Sequence, residues 1–369
     1  MKRLSSIGSR GNDYVVILLT LLLTTFGLAM LASASSSLSE LNTGDSLYYL
    51  KHQMISGLAV GLLGFILASN IGYKRYEKLS AIGMAFGIVL LMLTFTPLAV
   101  EMKGAARWVK VGPLTFQPSE PLKLFFIIYL AAWLASTRGK GRHAAKGFIA
   151  FLMILGIVMG LLLKQPATSA SMLVGLIAVI MYFESGARIS YLPVIVGLIA
   201  AGFAIAVYLA PYRLARIEAF FHPDRNVQTS GWQVNQAKNA IGSGGFMGVG
   251  YGQSLTKLHS LPEPLGDSIF AVVGEELGFI GSMTLIGLLL ALVLRILFIA
   301  QKTRDQFGHL LLIGFASLIG IQSFVNIAAI SGLMPLTGMS LPFISYGSTA
   351  LTVFLTIMGI VNNISKHTV

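Results

Sequence analysis

Cysteine is absent from the 369-residue chain, and charged residues make up only 11% of it. The absence of cysteine excludes a disulfide framework, a thiolate metal site and a thiol redox motif. A soluble globular domain carries about 25% charged residues. Since 55% of the residues are hydrophobic, the chain has too much apolar surface for a water-soluble core. The composition therefore indicates a membrane protein.

Long apolar runs recur along the sequence, each near the length of about 20 residues that a membrane-spanning helix needs. They predict transmembrane helices near residues 14–34, 53–72, 80–100, 119–137, 146–163, 168–183, 189–210, 268–300, 308–332 and 341–363. The predicted fold class is an all-α polytopic membrane protein of about ten spans. We expect a single integral membrane domain over 1–369, with a large extracytoplasmic loop at 211–267.

The first apolar run follows three basic residues, as in a signal peptide. It is long enough to span, and no small-residue cleavage site stands out, so we interpret it as a retained helix. The eighth run is unusually long, and we expect it to include a partly exposed first turn. The boundary between the fifth and sixth runs is weak, because only residues 164–166 separate them.

The distribution of lysine and arginine predicts the orientation of the chain. With the N-terminus in the cytoplasm, the cytoplasmic segments hold 15 of the 26 Lys and Arg residues and only four of the 14 acids. Both termini are then cytoplasmic. The net charge of +12 reflects this topology, and nucleic-acid binding is not needed to explain it.

The segment 101–118 departs from this pattern, because it places cations, among them Arg107, in a short outer loop. An anionic ligand would explain them. Glu120 and Lys123 follow in the first turn of the fourth helix and share a helix face at a spacing of three. They form either a structural ion pair or, through Lys123 together with Arg107, a phosphate site near the outer interface.

The loop 211–267 carries Arg213 and Arg216, which are again three residues apart and could present one basic face. Six glycines between positions 242 and 252 superficially suggest a phosphate loop. No strand precedes them and no Gly-Lys-Ser/Thr ending follows, which argues against that function. We expect this segment to be re-entrant backbone packed against helices.

Asp267 ends the loop at a predicted helix start, where a carboxylate is favoured by the helix dipole. The residue spacing alone therefore favours a helix cap at this position over a catalytic role. Glu275 and Glu276 continue into the apolar helix, where at least one of them must pair with a cation. Arg213 or Arg216 is an available partner for that pair.

Metal binding has little support in the sequence. None of the six histidines forms an i, i+4 pair, so no histidine metal site is predicted. No Ser–His–acid arrangement is readable either. A divalent cation bound together with a ligand is left open by the sequence.

Four stretches, 104–123, 212–223, 236–278 and 332–348, resemble the SEDS family (shape, elongation, division, sporulation), which includes FtsW, RodA and SpoVE. The resemblance covers nearly the whole chain, and the glycine-rich stretch is most similar to the FtsW branch. It implies polymerisation of lipid II into peptidoglycan glycan strands, together with a class B penicillin-binding protein. It also implies that Asp267 is the essential carboxylate and that Arg107 and Lys123 are functional cations.

The family pattern differs from this sequence at a few places. The residues beside Asp267 are Gly266 and Ser268, where the family has Thr and Phe. Ala167 occupies the position of a family acid, and Ser348 that of a family glycine. No role is carried over to Ala167.

These residues lead to a hypothesis of inverting glycosyl transfer at the outer face of the bacterial cytoplasmic membrane. Asp267 would be the general base, and Arg107, Lys123, Arg213 and Arg216 would neutralise the pyrophosphate of lipid II. Glu120, Glu275 and Glu276 would support the site. Septal synthesis with other divisome proteins is expected.

Three alternatives remain open at this point. The first is a lipid II flippase or transporter, the second a RodA-type elongation polymerase, and the third a non-catalytic scaffold of a division complex. Concentration of the ionisable residues at the outer face favours surface chemistry over transport.

Overall fold

The structure is a computed structural model of the full chain. It describes residues 11–102, 105–112, 114–136, 145–165, 167–187, 189–208, 220–221 and 230–368. Arg213 and Arg216 lie outside the described residues, so their predicted place in the site stays a prediction.

Helices dominate the described part of the chain, as an apolar sequence requires, because backbone groups in lipid must be satisfied within the segment. The helices are α1 (Tyr14–Thr43), α2 (Tyr48–Asn70), α3 (Lys74–Met92), α4 (Ser119–Ala135), α5 (Ala145–Lys164), α6 (Thr168–Glu184), α7 (Leu192–Tyr208), α8 (Ser230–Ser243), α9 (Thr256–His259), α10 (Ile269–Lys302), α11 (Gln306–Ile330) and α12 (Ser348–Ser365). The predicted class of polytopic helical membrane protein is confirmed.

Seven of these helices are long and apolar enough to cross a membrane, namely α1, α2, α3, α5, α10, α11 and α12. Helices α4, α6 and α7 each have 17 residues, somewhat short of the about 20 that a span needs. The figure of ten spans therefore stays a prediction. Of these seven, α11 and α12 are the most enclosed by protein, since their most apolar windows are 61% and 72% buried. Helix α4 is also largely buried, so the core lies around these three helices.

Among the described residues, two ion pairs and one histidine–carboxylate contact join helix ends on one face of the molecule. Arg295 near the end of α10 binds Asp13 before α1 at 2.7 Å, and Lys74 at the start of α3 binds Asp305 before α11 at 2.5 Å. His309 lies 3.0 Å from Glu184 at the end of α6. These contacts bring together helix ends that the sequence assigns to the cytoplasm, the end of α10 among them. The segment before α10 therefore lies at the opposite end of the helix bundle.

A three-stranded antiparallel sheet follows α3, in the order β1 (Ala99–Met102), β2 (Ala105–Val111) and β3 (Leu114–Phe116). The sequence predicted a span continuing to residue 100 and then a loop, and both predictions are wrong here. Val109 is fully buried while its neighbour Lys110 is exposed, which is the alternation of a half-buried strand. The alternation of buried and exposed residues was not recognised in the sequence because a strongly apolar helix directly precedes it.

Helix α10 is broken at Gly278, whose backbone has φ 63° and ψ −158°. The glycine loop, residues 244–250, lies against this break. The amides of Val249 and Gly250 donate to the carbonyls of Glu275 and Glu276. The prediction that the glycine-rich segment packs against helices is confirmed.

The short half of α10, residues 269–277, is buried in protein. Ile269, Ala271, Val272 and Val273 each have no exposed surface. The partly exposed first turn expected from the sequence is therefore wrong, because α8 and the glycine loop cover this half-helix.

Candidate functional site

Asp267 lies in the turn immediately before α10 and is half-buried. Its backbone carbonyl accepts a hydrogen bond of 2.9 Å from Nδ2 of Asn326 on α11. The next residue, Ser268, is the N-cap of α10 and makes no capping bond with its side chain. Its hydroxyl instead accepts from Nε2 of Gln233 at 3.1 Å. The N-cap position that the spacing predicted for Asp267 therefore belongs to the following residue.

The turn that carries Asp267 is also fixed from the segment before α12. Oγ of Ser345 donates to the carbonyl of Gly266 at 2.7 Å, and the amide of Tyr346 donates to the carbonyl of Leu265 at 2.8 Å. Three consecutive carbonyls of this turn are thus bonded to other parts of the chain, which holds its backbone in one position.

Lys123 is buried, with 3% of its surface exposed. Its ammonium lies 2.8 Å from Oε1 of Glu120 and donates to Oε1 of Gln322 at 3.0 Å. The ring of Phe354 lies beneath it at 5.9 Å. The predicted pairing of Glu120 with Lys123 on one helix face is confirmed. Lys123 therefore has a structural role.

Helix α11 brings Lys123 and the Asp267 turn to the same level. Their partners, Gln322 and Asn326, are four residues apart, a rise of about 6 Å along the helix. Gln322 also donates to the carbonyl of Ser340 at 2.9 Å, and Asn326 donates to the carbonyl of Met339 at 2.6 Å. The lysine, the aspartate turn and the segment before α12 therefore meet along one turn of α11.

Arg107 lies on β2 and is half-buried. Its carbonyl accepts a hydrogen bond of 3.5 Å from Nε2 of Gln165, just after α5. Four residues later, Oγ of Ser169 donates to the carbonyl of Thr337 at 2.5 Å. The backbone of Arg107 is therefore held by the residue after α5, and the first turn of α6 is held by the segment before α12; the place of its guanidinium in the site stays a prediction.

The two acids of α10 have partners in the segment before that helix. Oε1 of Glu276 lies 2.5 Å from the ammonium of Lys257, and both of its oxygens accept from Ser33 Oγ at 2.7 Å. The expectation of a cation partner is correct for Glu276, whose partner among the described residues is Lys257; Arg213 and Arg216 lie outside the described residues. The sequence could not choose among the cations of a long loop.

Glu275 is satisfied by the backbone and hydroxyls around the start of α9. It accepts from Oγ of Ser254 at 2.5 Å, from the amides of Leu255 and Thr256 at 3.2 and 3.4 Å, and from the Thr256 hydroxyl. Both acids therefore fasten the segment around residues 254–257 to the end of the short half of α10.

The sequence did not predict three residues of the site, namely Gln322, Asn326 and Ser345. The two amides had a readable signal, because polar side chains four residues apart in an apolar helix normally face a partner. Ser345 had none, since a serine in a loop is ordinary.

Within the part of the chain that the structure describes, no three His, Cys, Asp or Glu residues lie close enough to form a metal site. Glu120 alone is a weak cation ligand, because Lys123 already neutralises it.

The chain matches the family model of FtsW, RodA and SpoVE, described as "Cell cycle protein", over residues 13–369. A relative from Trichlorobacter lovleyi, named "Probable peptidoglycan glycosyltransferase FtsW", is 38% identical and covers 96% of this chain and 93% of its own length. "Stage V sporulation protein E" of Bacillus subtilis is 35% identical, with coverage of 96% and 97%.

Two solved structures share the fold. A chain from "Structural coordination of polymerization and crosslinking by a peptidoglycan synthase complex" has a TM-score of 0.80 at 27% identity, covering 96% of this chain and 97% of that one. The rod shape determining protein RodA of Thermus thermophilus has a TM-score of 0.70 at 26% identity, covering 96% of both chains. With a family match over nearly its whole length and relatives above 30% identity, this chain belongs to the FtsW/RodA/SpoVE family.

Proposed function

We propose that the protein is a peptidoglycan glycosyltransferase that polymerises lipid II into glycan strands at the outer face of the bacterial cytoplasmic membrane. The relatives named as such glycosyltransferases match almost the entire chain. The observation that carries the proposal is the convergence of Lys123 and the Asp267 turn on one turn of α11.

The chemistry needs one base and several cations. Asp267 takes the proton from a hydroxyl of the acceptor sugar as its oxygen attacks the anomeric carbon of the donor sugar. The bond between that carbon and the pyrophosphate oxygen breaks, and the polyprenyl pyrophosphate leaves with the electron pair. The configuration inverts, and a second carboxylate acting as acid is unnecessary because the leaving group needs charge neutralisation more than a proton.

The cations divide this work unequally. Glu120 neutralises much of the charge of Lys123, so the lysine mainly sets the local field and holds Gln322. Direct contact with the pyrophosphate belongs to Arg107, and to Arg213 and Arg216 of the outer loop. A preorganised guanidinium suits phosphate oxygens because its donors match them in pairs.

The proposed partners follow from the same family. A class B penicillin-binding protein would cross-link the strands, in agreement with the similarity to a chain of a peptidoglycan synthase complex. We place both termini in the cytoplasm and the protein among other divisome components in septal synthesis. Depletion should then give filaments, whereas a rounding of the cells would support the elongation role.

The test is polymerisation of lipid II by the purified protein with its penicillin-binding partner. Asp267→Asn should lower the rate at least about a hundredfold, the range of a lost general base, while the yield of folded protein is unchanged. Full activity in this variant would remove Asp267 as base, and normal growth of cells carrying it would favour the scaffold alternative.

Asp45→Asn is the matched control. A hydrogen bond from the side chain of Lys51 holds the pKa of Asp45 below its usual range, so this exposed group is ionised at neutral pH. The control therefore removes the same charge on the same face, and we expect it to keep wild-type activity.

The depth of the helix break bears on the flippase alternative. Residues 279–295, from the break to the arginine that pairs with Asp13 before α1, extend about 25 Å, most of the hydrocarbon thickness of about 30 Å. The break at Gly278 then lies near the outer boundary, whereas broken helices of transporters lie near the midplane. Movement of lipid II across liposomes without polymer formation would reverse this ranking.

A further inference from the structure

The short half of α10 is a separate rigid unit with Asp267 directly before it. It runs from Ile269 to the residue before Gly278, where the non-helical backbone interrupts the helix. Its direction is therefore not imposed by the long half. It is set by packing against α8 and the glycine loop and by the contacts at its two ends.

The contacts at its far end are ionic and buried. The side chains of Lys257 and Glu276 are only 4% and 0% exposed and lie 2.5 Å apart. Lys257 also donates to the carbonyl of Gly252 at 3.0 Å and to Oγ of Ser33 at 2.9 Å. All three donors of its ammonium are thus used, and the pair has a fixed geometry.

The same contacts tie this end to α1. The anchor segment, residues 251–257, has two bonds to that helix, from Tyr251 to the carbonyl of Ala29 at 2.6 Å and from Lys257 to Ser33. Since α1 is 30 residues long, it provides a reference that does not move with the loop. The half-helix is thereby held between α1 at its far end and α11 at the Asp267 end.

We propose that Lys257 and Glu276 are positioning residues for Asp267: their ion pair, fixed to α1, sets the tilt of residues 269–277 and so the position of the carboxylate. This inference rests on the proposed function. A displacement of about 1 Å can cost about a hundredfold in rate, and residues 269–277 transmit a change of tilt over a length of about 13 Å.

The competing explanation is that the pair merely balances charge in a buried place. The two explanations differ for the double variant Lys257→Met/Glu276→Gln, which leaves no unpaired charge. Charge balance alone predicts wild-type stability and activity. Positioning predicts wild-type stability with impaired activity, because the ionic link through Lys257 is lost and only the hydrogen bond from Ser33 still joins the side chain at 276 to α1.

The experiment compares the wild type, the double variant and Arg295→Met in lipid II polymerisation and in hydrogen–deuterium exchange. Arg295→Met is the control, since it breaks an ion pair at the opposite face. In the double variant we expect kcat to fall at least tenfold with KM within twofold, and amides of residues 263–270 to exchange faster. The control should keep wild-type kcat and exchange in this segment.

The two measurements distinguish a failure of the proposed function from a failure of the positioning role. An inactive wild type would refute the proposed function, while amide exchange in residues 263–270 would still report whether the ion pair of Lys257 and Glu276 holds the half-helix. An active double variant with wild-type kcat, or unchanged exchange in that segment, would overturn the positioning role. Lys257→Met alone and Glu276→Gln alone each leave one buried charge without its partner, so each should purify in lower yield than the double variant. Equal yields would contradict the pairing of the two charges.

Discussion

Single polar side chains determine where the loops of this protein are attached to its apolar helices. Gln322 is 1% exposed, accepts from Lys123 and donates to the carbonyl of Ser340. Because the side chain is almost fully buried, a polar group left unpaired here would be costly. The amide thus links a charge on α4 to the backbone before α12.

Gln322→Leu should therefore destabilise the protein by about 1–3 kcal/mol, the cost of leaving buried polar groups unsatisfied. Thermal unfolding in detergent measures the change. Gln301→Leu makes the same substitution at an exposed position of α10 and should leave the unfolding temperature unchanged. Equal effects of the two substitutions would contradict the role given to the buried amide.

At the residue scale, the sequence predicts local pairs and misses distant ones. Glu120 and Lys123 were predictable because a spacing of three on a helix brings two side chains together. The pair of Lys257 and Glu276 was not, since the lysine sits in a loop whose path depends on the tertiary structure. Asp267 was found through family resemblance, whereas its spacing alone favoured a cap.

At the scale of elements, the break in α10 depends on a residue without a side chain. At Gly278 φ is 63° and ψ is −158°, and an added Cβ would lie 2.3 Å from the amide nitrogen of Gly248. That backbone region is essentially restricted to glycine. The glycine loop and the broken helix therefore require each other.

Gly278→Ala should lower the unfolding temperature, by strain of about 1–3 kcal/mol and by displacing the glycine loop. Polymerisation activity should fall with it. Gly287→Ala is the control in the same helix, where nothing lies within 4 Å of the added Cβ. It should unfold at the wild-type temperature or above, since alanine favours helix over glycine by about 1 kcal/mol. Similar losses in both variants would refute the special conformation at 278.

Hydropathy predicts long helices well and small irregular elements poorly. The apolar runs located each of α1 to α7 and α10 to α12, because burial in lipid needs continuous apolar residues. The three strands and α8 escaped, since short amphipathic elements leave a weak signal beside strongly apolar helices. The break at Gly278 escaped too, because a lone glycine in a helix is commonly tolerated.

For the molecule as a whole, the orientation in the membrane is the testable consequence of the charge distribution. Contacts between Arg295 and Asp13, Lys74 and Asp305, and His309 and Glu184 place several of the sequence-predicted cytoplasmic ends on one face. Which face meets the cytoplasm is predicted by the lysines and arginines alone.

The absence of native cysteine makes the orientation directly measurable. Glu101→Cys on β1 and Arg304→Cys after α10 are both exposed positions. With a membrane-impermeant maleimide on intact spheroplasts, we expect labelling at 101, and labelling at 304 only after permeabilisation. The opposite pattern would invert the topology and remove the outer-face site.

The interruption at Gly278 also has a consequence for how this protein tolerates different lipids. A spanning helix responds to a thicker or thinner bilayer by changing its tilt. In α10 that adjustment is confined to residues 279–302, because the non-helical backbone at 278 does not transmit it rigidly. We therefore expect the turn that carries Asp267 to keep its position when acyl-chain length varies, and lipid II polymerisation to proceed at similar rates in membranes of unequal thickness.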